Sequence, residues 1–508
     1  MPKNKRKRAQ KGERPVTNAQ PAPAGLYVKP SWRDAVCLLV ALLMYVTVAR
    51  GLLYYAPLIQ LLALVGAVAG LTAAARVNAA AVAFAASTMG LLVLQPFVIA
   101  RGVGDTAFAQ SAMVAFGSAA VAWVVRWAVE TYGTKVTTIV PWIIVGLLTV
   151  NLWATVITLD ARIVTEDGRS GADMLGENPV VGQQWSDEDF YRRVLWLMTQ
   201  EDAGFYEAFR QGYQENIRWQ RDPNTVLAVR LPTAFLLWNY LPGKPWSLIV
   251  GYLALVSAAG GAIAWMSARR TSLTLGIPAI AALYGLALSV STSRLVLMTE
   301  AWAVPFAVVS VCAAIVSFGQ DRWKALTVLS VVAAVAAAGL RELMVYLFVA
   351  GIAAALVGPP ERRTFRAVMW LVGFTVVLAG YVVHAGAAAA IVTNTGGVSQ
   401  WFNGGPSNLV AGLGYAAEYI GGTALVPATF GVLALSGAAA SNLTEERVFA
   451  GLCCALPLLS FLFVGSDAVD VAKGTAINYW GMIVVPVLFA VSPLGIERLL
   501  TWADRPHA

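Results

Sequence analysis

Apolar residues occur along this chain in long, nearly unbroken runs, and polar residues collect in the short segments between them. About fourteen of these runs approach or exceed the ~20 residues that an α-helix needs to cross the hydrocarbon core of a bilayer. The pattern therefore predicts an all-α integral membrane protein, a polytopic bundle of about 14 transmembrane helices. The predicted spans are 35–49, 52–74, 79–100, 108–126, 137–158, 246–267, 273–291, 300–318, 325–340, 343–357, 367–387, 421–440, 447–465 and 479–496.

The overall composition supports a membrane protein. Of the 508 residues, 58% are hydrophobic and only 13% are charged, whereas a soluble globular chain carries roughly a quarter charged residues. The cysteines all lie inside apolar runs, without the spacing of metal ligands or of a disulfide framework. We therefore expect small, buried core residues at Cys37, Cys312, Cys453 and Cys454.

The distribution of charge predicts the orientation of the spans. The net charge is +8, and seven Lys or Arg residues lie within the first 15 positions, before any apolar run. Basic segments stay on the cytoplasmic side, and "ARR" (268–270), "DRWK" (321–324) and "ERRTFR" (361–366) fall on that side of the predicted bundle. Both termini are therefore predicted in the cytoplasm, in a multi-pass protein of the cytoplasmic (inner) cell membrane. The basic tail is expected to contact anionic membrane lipids and not nucleic acid.

These features divide the chain into four parts. Residues 1–33 are expected to form a basic, disordered cytoplasmic tail, and 34–136 an N-terminal membrane segment of four spans. Residues 137–496 form the membrane core with its large extracytoplasmic loop, 160–229, and 497–508 form a second cytoplasmic tail. The large loop holds 13 Asp or Glu residues against seven Arg. We therefore expect this loop on the extracytoplasmic side of the membrane, and we expect the reaction site on the same side.

The stretch from Ser186 to Phe209, "SDEDFYRRVLWLMTQEDAGFYEAF", combines charges and aromatic rings in an otherwise apolar chain. Ser186 and Asp189 fit a helix N-cap followed by an acidic first turn, where the helix dipole favours anions. The pattern predicts an amphipathic interfacial helix of about 15 residues, with Arg192 and Arg193 on its solvated side. Its apolar stripe at helical spacing consists of Phe190, Val194, Leu197 and Met198.

Further motifs accompany this helix in a fixed order. Asp187-Glu188-x-x-Tyr191 opens it, and "GFYEAFRQGY" follows. The others are "VRLPTAFLLWNYL" (229–241), "LMTEAWA" (297–303), "LREL" (340–343) and "NYWGMIVVP" (478–486). Their order across residues 137–496 resembles the GT-C superfamily of polytopic membrane glycosyltransferases, in particular its aminoarabinose-transferase and protein O-mannosyltransferase branches.

The resemblance implies a glycosyltransferase that moves a hexosyl or pentosyl unit from a polyprenyl-phosphate donor to a hydroxyl of a glycan, lipid or protein on the outer face, with inversion. A carboxylate would take the acceptor proton, and we assign this role to Asp187, assisted by Glu188. Arg or Lys would stabilise the leaving phosphate. The candidate substrate-binding residues are Tyr191, Arg230, Arg294, Glu300, Arg341 and Lys473.

Several residue assignments stay open at this point. The outer loop is longer than in compact members of the superfamily, so other acids compete with Asp187. A divalent ion, Mg²⁺ or Mn²⁺, at the acidic motif also stays open, because only some members use one, and no other cofactor is expected. His384 is expected to be a hydrogen-bonded packing residue. The competing acids are Asp160, Glu166, Asp167 and Asp173, and the aromatic residues that could stack on a sugar or anchor the interface are Trp185, Tyr191, Phe205, Tyr206, Tyr213, Trp219 and Trp401.

Three other functions compete with a glycosyltransferase. A flippase or other transporter of lipid-linked saccharides suits the number of spans, but the two halves of the chain lack the internal repeats that many transporters show. A polysaccharide polymerase or ligase would depend more on loop arginines than on an acidic loop. A non-catalytic scaffold would tolerate the loss of Asp187.

Overall fold

The structure is a computed structural model, and it describes residues 134–160, 178–181, 185–217, 220–241, 245–271, 273–291, 294–320, 322–393, 425–460, 469–470, 475–476 and 481–503. The four spans predicted between positions 35 and 126 lie outside these residues. Apart from the loops, the described elements are helices and one short antiparallel pairing, of Val469–Asp470 with Thr475–Ala476. Helices therefore form the whole framework of the described part.

A helix stands at each of the predicted spans from residue 137 onward, namely α1 and α5 to α13 below. In chain order the described α-helices are α1 (Thr134–Asp160), α2 (Asp187–Gln200), α3 (Phe205–Glu215), α4 (Thr233–Tyr240), α5 (Pro245–Arg270), α6 (Leu273–Ser291), α7 (Thr299–Phe318), α8 (Trp323–Leu340), α9 (Tyr346–Val357), α10 (Pro360–Ala389), α11 (Leu425–Ala440), α12 (Thr444–Ser460) and α13 (Gly481–Ala503). Three 3₁₀ turns accompany them, η1 (Val226–Ala228), η2 (Arg294–Leu297) and η3 (Glu342–Val345).

Four of these helices are long and apolar enough to cross a membrane, which supports the prediction of a membrane protein. They are Trp246–Arg270, Thr299–Phe318, Trp323–Leu340 and Pro360–Ala389. The last of them, α10, is the least covered by protein, and its outward side chains include the exposed Val376, Val382 and Val383. An apolar helix surface of this kind fits contact with lipid. The full number of about fourteen spans stays a prediction.

Small residues let several helices approach one another closely. The backbones of α11 and α13 touch, because a Cβ atom on Gly437 or on Gly495 would overlap the backbone of the other helix. A Cβ on Gly351 of α9 would overlap the indole of Trp370 on α10. Close packing at small residues is the usual way in which helices associate in lipid, where the hydrophobic effect contributes little. The tightest contacts of the bundle therefore depend on the absence of side chains.

The expected cysteine environments are confirmed where the structure describes them. Cys312, Cys453 and Cys454 are buried and free. Cys37 lies outside the described residues. These thiols fill space in the bundle as small core residues.

The basic segments come together at one end of the bundle. Arg270, at the end of α5, pairs with Glu446 at the start of α12. Arg366 of α10 lies 3.1 Å from the carboxylate of Glu445 and donates to the carbonyl of Ser317 at the end of α7, at 3.0 Å. The helix ends assigned to one side by their charge are thus neighbours, and the loop elements α2 and α3 lie at the other end.

We expect Gly373→Val in α10 to lower the free energy of unfolding by about 2 kcal/mol through overpacking. A Cβ at this position would lie 2.6 Å from Val331 Cγ1 and 2.9 Å from Phe348 Cε1. Gly380→Val is the matched control, because the same helix leaves nothing within 4 Å of a Cβ there. Thermal unfolding in detergent measures both, and equal midpoints would contradict the packing argument.

Candidate functional site

Helix α2 begins where the sequence predicts. The Ser186 hydroxyl accepts a hydrogen bond from the Asp189 backbone N–H at 3.3 Å, and three carboxylates occupy the first turn. This N-cap satisfies one of the orphan donors at the start of the helix. The helix ends at Gln200 and so has 14 residues, close to the predicted length. Asp187 and Glu188 are both partly exposed at the open end of this first turn.

The apolar stripe of α2 packs on protein. Phe190 meets the rings of Phe209 and Tyr213 on α3 edge-on, with centroids 4.9 and 5.3 Å apart. Val194 and Leu197 have no exposed surface. Helix α2 also contacts α4 and η2, so it is held on three sides at one end of the bundle. Burial of its apolar face fixes the position of its first turn.

The prediction that Arg192 and Arg193 are solvated is wrong. Both are buried, since α3 covers the face that the helical wheel alone assigns to solvent. Arg193 donates to both carboxylate oxygens of Glu215 on α3, at 2.7 and 2.9 Å, and to Asn178 at 2.9 Å. Arg192 lies 3.0 Å from Asp189. A buried guanidinium needs such partners, because an unpaired one would lose its hydration without compensation. Arg193 therefore fastens α2 to α3, and neither arginine is available to a ligand in solution.

Tyr191 links α2 to the segment that leads into α4. It is buried, its ring lies edge-on to Phe235, and its hydroxyl accepts a hydrogen bond from Arg230 Nε at 2.7 Å. Burial raises the pKa of Tyr191 above its usual value, and this outweighs the opposing effect of Arg230; the charges of Asp187 and Glu300 raise it further. The phenol therefore stays protonated, and it stands within electrostatic reach of three charged candidates from the sequence.

Arg341 forms a buried ion-pair cluster beside this link. It occupies the single extended residue between α8 and η3, and its side chain is 1% exposed. Its Nε lies 2.7 Å from Glu300 Oε1 at the start of α7, and its Nη1 donates to Glu342 Oε1 at 2.6 Å. Glu300 has no exposed surface. Two carboxylates thus neutralise one guanidinium, and Arg341 joins three helix ends.

His384 is a hydrogen-bonded packing residue, as the sequence predicts. Its Nε2 lies 3.2 Å from the Val229 carbonyl and its Nδ1 lies 3.0 Å from the Tyr206 hydroxyl. A carbonyl can only accept, so in the neutral imidazole Nε2 carries the hydrogen and Nδ1 accepts from Tyr206. Val229 directly precedes Arg230. The histidine of α10 therefore holds the backbone from which Arg230 extends, a role that the sequence gives no means of assigning.

The structure brings together Asp187, Tyr191, Arg230, Glu300 and Arg341, although they come from four separate segments of the chain. For Arg294 the backbone is described, at the start of η2, which packs against α2. The side chains of the remaining predicted residues lie outside the described part of the chain; these residues are Lys473, Asp160, Glu166, Asp167, Asp173, Trp219 and Trp401.

The aromatic residues near α2 do not form an open stacking platform. Trp185, Tyr191 and Phe205 are buried and pack against neighbouring side chains. Tyr206 and Tyr213 keep part of their surface, and Tyr206 lies against His384 with ring centroids 5.8 Å apart. These rings pack into the hydrophobic core beneath α2 and stabilise its position.

The described residues supply few ligands for a metal ion. No three of their His, Cys, Asp or Glu side chains come together as metal ligands. Asp187 and Glu188 could supply two carboxylates, and Mg²⁺ is usually bound through one or two carboxylates together with waters and substrate phosphates, so this pair could hold the ion only with ligands from a bound donor. No step of the mechanism below is assigned to a metal ion.

Comparison with known proteins identifies no relative. No protein-family model matches the chain, and neither a curated protein nor a solved structure matches it. Function is therefore inferred from the residues and contacts of this chain and from its motif resemblance.

We expect Glu215→Gln to lower the free energy of unfolding by about 2 kcal/mol near neutral pH, because it leaves the buried Arg193 with only the more distant carboxylate of Glu201, at 4.0 Å. Burial alone would raise the pKa of Glu215, but hydrogen bonds from Arg193 and Gln211 outweigh it and hold this pKa below its usual value. The stabilisation is therefore present above the ordinary glutamate pKa and is lost as the pH falls through the lower folded-state pKa.

Thermal unfolding of wild type and Glu215→Gln, from about pH 7 to about pH 3.5, tests this expectation. The difference between the two midpoints should shrink at the acid end. Glu207→Gln is the control, because Glu207 is exposed on the same helix. A difference that persists at low pH, or an equal effect in the control, would contradict the assignment.

Proposed function

We propose that this protein transfers a monosaccharide from a polyprenyl-phosphate donor to a hydroxyl acceptor at the end of the bundle that carries α2. The observation that supports it most is the hydrogen bond between Tyr191 and Arg230, at 2.7 Å. It joins the acidic motif that begins at Asp187 to the arginine before α4. These are two of the segments that resemble the GT-C glycosyltransferases.

The proposed reaction needs a base and a cation on opposite sides of the sugar carbon. The acceptor O–H gives its proton to the Asp187 carboxylate, and the acceptor oxygen forms a bond to the anomeric carbon. The bond from that carbon to the phosphate oxygen breaks, and the electron pair leaves with the polyprenyl phosphate. Arg230 stabilises the charge that develops on the phosphate. A single displacement of this kind inverts the anomeric configuration.

The contacts divide the candidate cations by role. Arg341 is buried and neutralised by two carboxylates, so we assign it to positioning and not to phosphate contact. Arg230 is partly exposed at the same end of the bundle, which suits an approaching phosphate. Arg294 and Lys473 stay predictions for the same task.

The surroundings of Arg230 suit a lipid-linked donor. Helix α4 begins three residues later, and Leu236 and Tyr240 on it are exposed, at 43% and 84%. Exposed apolar and aromatic side chains beside a cation are typical of the membrane interface, where an aromatic ring sits at headgroup depth. A phosphate on Arg230 would therefore leave the prenyl chain next to an apolar surface.

We expect Asp187→Asn to reduce transfer by about 100-fold or more, which is the usual contribution of a positioned general base. Purified protein is incubated with labelled polyprenyl-phosphate monosaccharides and with glycan, lipid and peptide acceptors. Asp202→Asn is the matched control, since Asp202 is exposed and its positive φ of 54° suits asparagine. Full activity of a folded Asp187→Asn would move the base to another acid. Movement of a lipid-linked saccharide across vesicles without transfer would identify the transporter alternative.

We expect Tyr191→Phe to reduce the turnover rate by about 10-fold, because Arg230 loses one hydrogen-bond acceptor that orients it. The aromatic packing on Phe235 remains, so the midpoint of thermal unfolding should change little. Tyr240→Phe on α4 is the control, because Tyr240 is exposed. An unchanged rate in Tyr191→Phe would exclude a role for this hydrogen bond.

A further inference from the structure

Three cations surround one indole ring at the end of the bundle opposite to α2. The ring is that of Trp323, the first residue of α8. The guanidinium carbons of Arg366 and Arg362 lie 5.5 and 5.6 Å from its centroid, and Lys324 Nζ lies 5.6 Å away. Phe365 packs edge-on against the same indole, with centroids 5.3 Å apart. The ring thus gathers positive charge from both α8 and α10.

Only one of these cations has a described acidic partner. Arg366 is buried and pairs with Glu445. Arg362 donates to the Phe318 carbonyl at 3.1 Å, and Lys324 is exposed. Among the carboxylates that the structure describes, none lies within ion-pair distance of Arg362 or Lys324. Because no described carboxylate offsets Arg362 and Lys324 beside this ring, an anion that approaches them would be stabilised.

The position of this cluster corresponds to headgroup depth. Trp323 begins one candidate span, and Arg362 lies in the first turn of another, Pro360–Ala389. At 1.5 Å per residue, the 18 residues of α8 span about 27 Å. This length is close to the ~30 Å hydrocarbon core, and the other end of α8 adjoins Arg341. If that end lies near one interface, Trp323 lies near the other, where lipid phosphates are found.

We propose that Trp323, Lys324 and Arg362 form a binding site for the headgroup phosphate of an anionic phospholipid. Lys324 and Arg362 supply charge-assisted hydrogen bonds to the phosphate, and the indole sets the depth at which the lipid sits. The site is separate from the proposed transferase site, about one bilayer thickness away, and it does not depend on that function.

The test titrates the full-length protein in a neutral detergent with dioctanoyl-phosphatidylglycerol and counts bound lipid by native mass spectrometry. We expect the double variant Lys324→Gln/Arg362→Gln to bind roughly 30-fold more weakly, because each interfacial cation contributes about a factor of five. The matched control is Arg269→Gln/Arg447→Gln. It removes the same charge from the same end of the bundle, and wild-type affinity is expected.

Three results would overturn the proposal. An equal loss in the two double variants would indicate diffuse attraction in place of a site. If dioctanoyl-phosphatidylcholine bound the wild type as tightly as the anionic lipid, the net charge of the headgroup would have no role in binding. Inorganic phosphate that displaces the lipid at equal concentration would identify a free anion as the ligand. Lys324→Glu gives an independent check, because Lys324 is exposed, and a folded Lys324→Glu that keeps wild-type affinity would also contradict the site.

Discussion

The buried ion pair between Arg341 and Glu300 is the constraint on which the rest of this end of the bundle depends. A guanidinium inside an apolar bundle is costly to bury, and removing one partner of such a pair typically costs about 3–5 kcal/mol. Arg341 directly follows α8, Glu300 lies in the first turn of α7, and Glu342 is the first residue of η3, which precedes α9. The three helix ends must therefore meet at one point. Their meeting point places the charge of Glu300 within reach of Tyr191.

Further contacts connect this ion-pair cluster to the loop elements around it. The phenol of Tyr191 holds Arg230, and His384 holds the carbonyl of the residue before Arg230. Helix α2 is fastened to α3 by Arg193 and Glu215. Each of these contacts joins one segment of the loop either to an apolar helix of the bundle or to another segment of the loop. A charged outer layer can thus keep a defined geometry although it lies on an apolar bundle.

Local patterns in the sequence predict the elements well, and they predict the contacts poorly. The apolar runs mark α1 and α5 to α13, because the length of an apolar run is itself the physical requirement for a membrane helix. The cap at Ser186 and the stripe of α2 are also local. The burial of Arg193 depends on α3 folding over it, which a helical wheel does not contain. Likewise, nothing in the sequence pairs Tyr206 with His384, 178 residues away.

The residues of the candidate site can likewise be predicted from the sequence, whereas their contacts cannot. Asp187, Tyr191, Arg230 and Arg341 can be named from the sequence, because charged and aromatic residues stand out at the ends of apolar runs. Their roles cannot be separated there, since an arginine near an outer helix end suits a donor phosphate and an ion pair equally. Burial decides between the two, and it places Arg341 among the ion pairs while Arg230 stays partly exposed.

The charges around Tyr191 suggest how the proposed reaction would stay balanced. Arg230 and Arg341 stand against the carboxylates of Asp187, Glu300 and Glu342, so the cluster has more negative than positive charge before a donor phosphate arrives. On the proposed pathway Asp187 becomes neutral in the same step in which the phosphate gains charge. Arg230 would then face the charge that develops on the leaving phosphate while Asp187 carries none. On the proposed pathway, a base and a cation that both lie near one protonated phenol would thus favour the transition state over the bound donor, which is the condition for catalysis.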